Sequence, residues 1–131
     1  MSNYIIGDLI SRLRVALNGH LSRIKVLNSK ISLNILAIFY ENGLICGYQI
    51  ENQFIMVYLK YYKNLPVFLN IKLISTPGKK VYWSLDQLTL KQNKRNFNGF
   101  YIISTSKGLI TSNSCILGKN ICGKILLKVY V

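Results

Sequence analysis

The chain has 131 residues, half of them hydrophobic and 11% aromatic. That is enough to bury a core without metal or disulfide support, which excludes disorder, and it is too short for a multidomain enzyme. Seventeen Lys and Arg face only four acids, Asp8, Glu41, Glu51 and Asp86, for a formal charge of +13, an excess that points to a polyanionic partner.

The acids stand singly, His20 is the only histidine, and Cys46, Cys115 and Cys122 have neither CxxC spacing nor a partner histidine. Carboxylate-cluster hydrolysis and the usual zinc sites therefore lack their residues, so no metal, cofactor or small-molecule substrate is expected. An odd cysteine count without a secretory signal suggests reduced thiols serving as small buried hydrophobes. The opening residues have neither the Arg-rich, acid-poor character of a transit peptide nor the apolar stretch of a signal peptide, so no removable segment is expected there.

Ile5, Ile6, Leu9, Ile10, Leu13, Ala16 and Leu17 recur at helical spacing, which predicts an amphipathic helix over residues 3–17 with Asp8 and Arg12 as an i, i+4 pair. Asn18-Gly19 ends it, and residues 22–27 alternate Arg23 and Lys25 with Ile24 and Val26 as a short strand. Asn28 or Ser29 caps a second helix with Ile31, Ile35, Ile38 and Phe39 on its buried stripe. Residues 31–50 carry one charge in twenty, the length of a membrane span. Glu41-Asn42-Gly43 at the midpoint instead reads as a helix end, giving helix, turn, strand and no membrane association.

Residues 44–50, 53–61 and 67–74 read as strands joined by turns at 51–52 and 63–66. Helix, strand, helix and three strands make an α+β lobe. Ser75-Thr76-Pro77-Gly78 reads as a type II turn, since Pro presets φ at its second position and Gly accepts positive φ at the third. Lys79 and Lys80 follow it. A strand at 81–83, a one-turn helix at 84–88 and a basic loop at 91–96 come next, then a strand at 99–104 and a turn at 105–108. Thr111 caps a short helix ending at Gly118, and residues 124–131 close as a strand. Residues 1–65 carry seven bases and three acids, for +4; the remainder carries ten bases and one acid, for +9. The polyanion site is expected mainly on the second half.

Ser104-Thr105-Ser106-Lys107-Gly108 sets three hydroxyls and an ammonium at a strand end before a glycine. Hydroxyls donate and accept, lysine neutralises phosphate, and a turn aims backbone N–H groups outward. The string is not a P-loop, which needs Gly-Lys-Ser/Thr ahead of a long helix.

Together with Asp8 to Arg14, Asn28-Ser29-Lys30, Glu41 to Ile45, Ser75 to Gly78 with Tyr82, and the run from Ser104 to Thr111, this order and spacing resembles the universal small-subunit ribosomal protein eight family along nearly the whole chain. The resemblance implies two small lobes, residues 1–74 and 75–131. It further implies binding of small-subunit ribosomal RNA early in assembly, the Ser-Thr-Ser-Lys-Gly turn docking against an RNA minor groove, with neighbouring small-subunit ribosomal proteins as further partners. The RNA-contacting residues implied are Arg12, Arg14, Asn28, Ser29 and Lys30 in the first lobe. In the second they are Ser75, Thr76, Pro77, Gly78, Tyr82, Ser104, Thr105, Ser106, Lys107 and Gly108, to which charge adds Lys79 and Lys80.

The chain departs from the family's usual pattern at Val15, Thr76, Lys80, Ser112-Asn113 and Lys124, the last standing where an acid is usual. Abundant Ile, Leu, Asn, Lys and Tyr are what an AT-rich coding sequence yields. With the altered basic motifs this suggests an organelle-encoded copy, mitochondrial ahead of plastid. A non-ribosomal RNA-binding or RNA-chaperone module would instead show an exposed aromatic platform, for which Tyr58, Tyr61 and Tyr62 are candidates. An enzyme would need Asp8, Asp86 and His20 to meet.

Overall fold

The computed structural model describes residues 2–63, 65–66, 70–75, 78–94, 97–106, 108–118 and 123–130. They fall into two units, Met1–Leu69 and Asn70–Val131, each mixing helix with antiparallel sheet.

In the first unit, helix α1 (Ser2–Asn18) buries Ile6, Leu9, Ile10, Leu13, Ala16 and Leu17, the stripe that its spacing predicts. Strand β1 (Arg23–Leu27) follows, and then α2 (Lys30–Glu41). Of the two cap candidates, Ser29 takes the role: its hydroxyl accepts from the Ser32 amide at 3.2 Å, satisfying one of the amides left over at a helix start. Gly43, at φ +73°, turns the chain out of the helix. Strands β2 (Ile45–Glu51) and β3 (Phe54–Leu59) complete a three-stranded sheet in the order β1-β3-β2. Residues 31–50 are thus helix, turn and strand, and among the described residues no helix is long and apolar enough to cross a membrane.

Two expectations for this unit are corrected. The strand expected to run through Tyr61 ends at Leu59; Tyr61–Tyr62 forms β4, paired with β5 (Leu65–Pro66) in what reads as a turn from sequence. The Tyr61 hydroxyl lies 2.7 Å from the Leu21 carbonyl and 3.3 Å from that of Ala16, donating to the last turn of α1 and the residues just after it. Cys46 is exposed rather than buried, at the point where the register between β2 and β3 shifts between Ile45 and Gly47, and its thiol donates to the Leu59 carbonyl at 3.4 Å. Cys115 is buried, as expected; Cys122 lies outside the described residues.

In the second unit, β6 (Asn70–Leu73), β7 (Gly99–Thr105), β8 (Gly108–Thr111) and β9 (Lys124–Tyr130) form one sheet in the order β6-β9-β7-β8. Residues 70–73, assigned from sequence to the first lobe, belong here, because β6 pairs with β9 from Asn70↔Tyr130 to Leu73↔Leu127. Local pattern shows a strand but not its partner. Helices α3 (Leu85–Gln92) and α4 (Ser112–Gly118) pack on one face, around Leu88, Tyr101, Ile103, Cys115 and Ile125. Full burial of each such side chain is worth about 1.5–3 kcal/mol. Helix α3 runs past the expected single turn into the expected loop, on a Ser84–Gln87 capping box. Of the strand expected at 81–83, only the isolated bridge Tyr82↔Lys124 forms. Strand β8 runs from Gly108, the last residue of the expected turn, through the unassigned 109–110 to Thr111, the expected cap.

Candidate nucleic-acid interface

The β7–β8 hairpin closes on the Thr105↔Gly108 pair. The Thr105 hydroxyl donates to the Gly108 carbonyl at 2.9 Å, and Gly108 sits at φ +109°, which a side chain would strain. Ser106 is exposed at the tip; Lys107 lies outside the described residues. The turn is therefore braced from within, and its hydroxyls are held at the sheet end.

One register step back, Tyr82, Lys124 and Ser104 form a single cross-strand row, Tyr82 bridging Lys124 and Lys124 pairing with Ser104. Directly paired residues share a face of the sheet, so phenol, ammonium and hydroxyl stand side by side next to the turn. Tyr82 is 62% exposed. The approach is close: a Cβ on Gly123 would lie 2.0 Å from the Ser104 carbonyl oxygen, so only glycine lets this strand start there. The departure from the family pattern at Lys124 places a positive charge inside this row.

Ser75 is the base of the neighbouring loop and not part of its surface. It is fully buried; its hydroxyl accepts from the Val81 amide at 3.0 Å and donates to the Ile125 carbonyl. That closure presents Gly78, Lys79 and Lys80, all exposed, beside Tyr82. Thr76 and Pro77, and with them the expected type II turn, lie outside the described residues. In α4, Thr111 caps the helix by accepting from the Ser114 amide at 3.3 Å. Ser112 turns inward and accepts from the Tyr101 amide at 3.1 Å, so that position serves the core.

The candidate residues of the first unit are largely committed locally. Arg12 pairs with Asp8 at 3.0 Å and donates to the Lys25 carbonyl at 3.1 Å. Asn28 donates to the Asn52 carbonyl at 2.9 Å, and Ser29 is the α2 cap. Arg14 and Lys30 are exposed. His20 stacks obliquely on Tyr61, ring centroids 5.7 Å apart. Among the described residues no three His, Cys, Asp or Glu gather to hold a metal.

A second basic cluster, marked by no sequence motif, lies on the sheet of the second unit. Lys128 lies over three rings, 4.7 Å from Phe97, 4.9 Å from Tyr130 and 5.6 Å from Tyr101, and Lys72 lies 5.8 Å from Tyr130. Burial works against the Lys128 charge, but the Tyr130 and Tyr101 phenols outweigh it and hold the ammonium above the usual lysine range. In turn, the hydrogen bond with Lys128 outweighs burial and holds the Tyr130 phenol below the usual tyrosine range. The signal is alternation in the last strand, Lys128 and Tyr130 alternating with Leu127 and Val129, but only the register reveals Lys72 and Tyr101 beside them.

A hydroxyl-rich turn, a Tyr-Lys-Ser row and exposed lysines at one sheet end are chemistry for a structured polyanion. Residues 4–130 match the family described as Ribosomal protein S8. The chain belongs to that family. Among its relatives, the small ribosomal subunit protein uS8m of Acanthamoeba castellanii is 37% identical over 95% of this chain and 98% of its own length. The uS8 proteins of Hyphomonas neptunium and Neorickettsia sennetsu are 34% and 30% identical, over 95% and 99% of this chain and 95% and 100% of their own lengths. The family resemblance carried by the sequence motifs is thereby established along nearly the full chain.

Proposed function

We infer that this chain is a structural component of the small ribosomal subunit that binds small-subunit ribosomal RNA. Membership of the ribosomal protein S8 family carries that reading, and the family favours it over a free RNA chaperone or an enzyme. Contact with other ribosomal proteins of the subunit follows from the same membership.

The second unit is the RNA-docking part in this reading. The single observation that supports it best is the Tyr82–Lys124–Ser104 row beside the braced Thr105–Gly108 turn. Small hydroxyls reach 2′-hydroxyls and base edges in the shallow minor groove of RNA, while Lys79, Lys80 and Lys124 neutralise phosphates along its rims. Crosslinking the protein to small-subunit ribosomal RNA and sequencing the joined peptides tests it. Crosslinks should fall on residues 78–82, 104–108 and 124; crosslinks confined to the first unit would move the site there.

The ribosome in question is mitochondrial in this reading, supported by the uS8m relative and by the AT-type residue bias. Gradient fractionation of mitochondria should place the chain with the small subunit; co-sedimentation with a plastid or cytosolic subunit instead would exclude it.

A further inference from the structure

Lys72 and Lys128 stand directly opposite each other on β6 and β9. Like charges in that position repel, and the unit offers little to offset them: its only acidic side chain is Asp86, in the first turn of α3. Among the described residues no ion pair joins Asp86 to either lysine. Both ammonium groups nevertheless converge on the Tyr130 ring, and Phe97 and Tyr101 wall Lys128 from the other side. Cation–π contacts of this kind are worth about 0.5–1 kcal/mol each at exposed sites, so the rings hold the two charges together at a fixed place. A fixed, uncompensated pair of ammoniums is the arrangement that an incoming phosphate group relieves.

The pair is separate from the turn. Strand β7 carries Tyr101 in the Lys72–Lys128 row and Ser104 in the Tyr82–Lys124 row. Three residues of strand are about 10 Å, and the β7–β9 register shifts between Ile102 and Ile103, so the two rows are set apart along the sheet.

We propose that Lys72 and Lys128, braced by Tyr130 and Phe97, form a second RNA-phosphate site on the sheet of the second unit, about 10 Å along β7 from the Tyr82–Lys124–Ser104 row. It rests on the RNA-binding reading and extends it: a second stretch of RNA backbone reaches the unit away from the turn.

Titrations of the full chain with complete small-subunit ribosomal RNA at several salt concentrations test this site. The proteins compared are the parent, Lys72→Gln, Lys128→Gln, their double variant, and Lys79→Ala/Lys80→Ala as a reference. Each lost phosphate contact should lower the slope of log K against log salt by about one, and the double variant by about two. Lys72→Arg/Lys128→Arg should keep the parent slope.

A folded double variant with the parent slope overturns the site, and so does a lowered melting temperature with the slope unmoved, since bracing of the fold alone does not change counterion release. Should Lys128→Gln fail to fold, Lys72→Gln decides, because Lys72 is exposed. A parent that does not bind the RNA at all would instead sink the underlying reading, which keeps the two failures apart.

Discussion

The hydroxyl of Ser75 donates to the carbonyl of Ile125, fifty residues further along the chain, while accepting from the Val81 amide. One buried side chain thus fastens both the loop that presents Lys79 and Lys80 and the strand that carries Lys124. Ser75→Ala leaves the Val81 amide and the Ile125 carbonyl short of a partner, and each unsatisfied buried group costs about 1–3 kcal/mol. Urea unfolding should show a loss of about 2–6 kcal/mol for the two groups together. An unchanged midpoint would mean that the loop is held by other contacts.

Thr105 and Ser106 divide the work of the turn. Thr105 braces it through Gly108, whereas Ser106 is exposed at the tip. Ser106→Ala should weaken binding to the cognate RNA helix by about 1–3 kcal/mol, the cost of leaving a desolvated RNA group unpaired, and leave unfolding alone. Thr105→Ala should affect both, and Thr105→Ser should restore both by keeping the hydroxyl. Fluorescence titration beside thermal melts separates them; equal binding by all three would remove the turn from the interface.

Much of this was legible in the sequence, and the gaps share a cause. Both long helices, the start of α3 at Ser84 and the closing strand follow from local spacing, because α1 and α2 bury one stripe each. Strand partners are non-local, so neither the membership of residues 70–73 in the second sheet nor the exposure of Cys46 at the β2–β3 register shift is legible from local pattern. The same holds at the site. The hydroxyl run at 104–108 is a local string, but Lys124 enters the row only by pairing with Ser104, and Ser75 shows its buried role only through Val81 and Ile125. A motif marks which residues matter; partners fifty residues away decide whether a hydroxyl faces RNA or the core.

Cys46 and Cys115 should part company in a thiol-labelling experiment. Cys46 is exposed, while Cys115 is fully buried in the core of the second unit. Exposure governs access of a bulky alkylating reagent. Peptide mass spectrometry after brief labelling of native protein should find Cys46 modified and Cys115 unmodified, with Cys115 reacting only after denaturation. Labelling of Cys115 at the same rate in the native state would show that α4 opens readily from the sheet.

Tyr130 and Lys128 make a pH-dependent pair whose sign can be worked out. The Tyr130 phenol titrates below its ordinary value of 10.0, so as pH climbs toward 10 the folded chain holds fewer protons there than the unfolded one, and stability is gained. Lys128 titrates above its ordinary value of 10.5, so its contribution is complete below 10.5 and is lost as pH rises through the folded value. The contribution of the pair should therefore grow on approach to pH 10 and decline beyond 10.5. Ultraviolet titration of tyrosinate formation checks the first half directly. Tyr130→Phe should remove the component that titrates below the ordinary tyrosine range, and Lys128→Gln should move that component upward, Lys72 still holding part of the shift. If the parent and Lys128→Gln titrate identically, the ammonium does not reach the phenol, and the bracing of Lys128 by that ring fails with it.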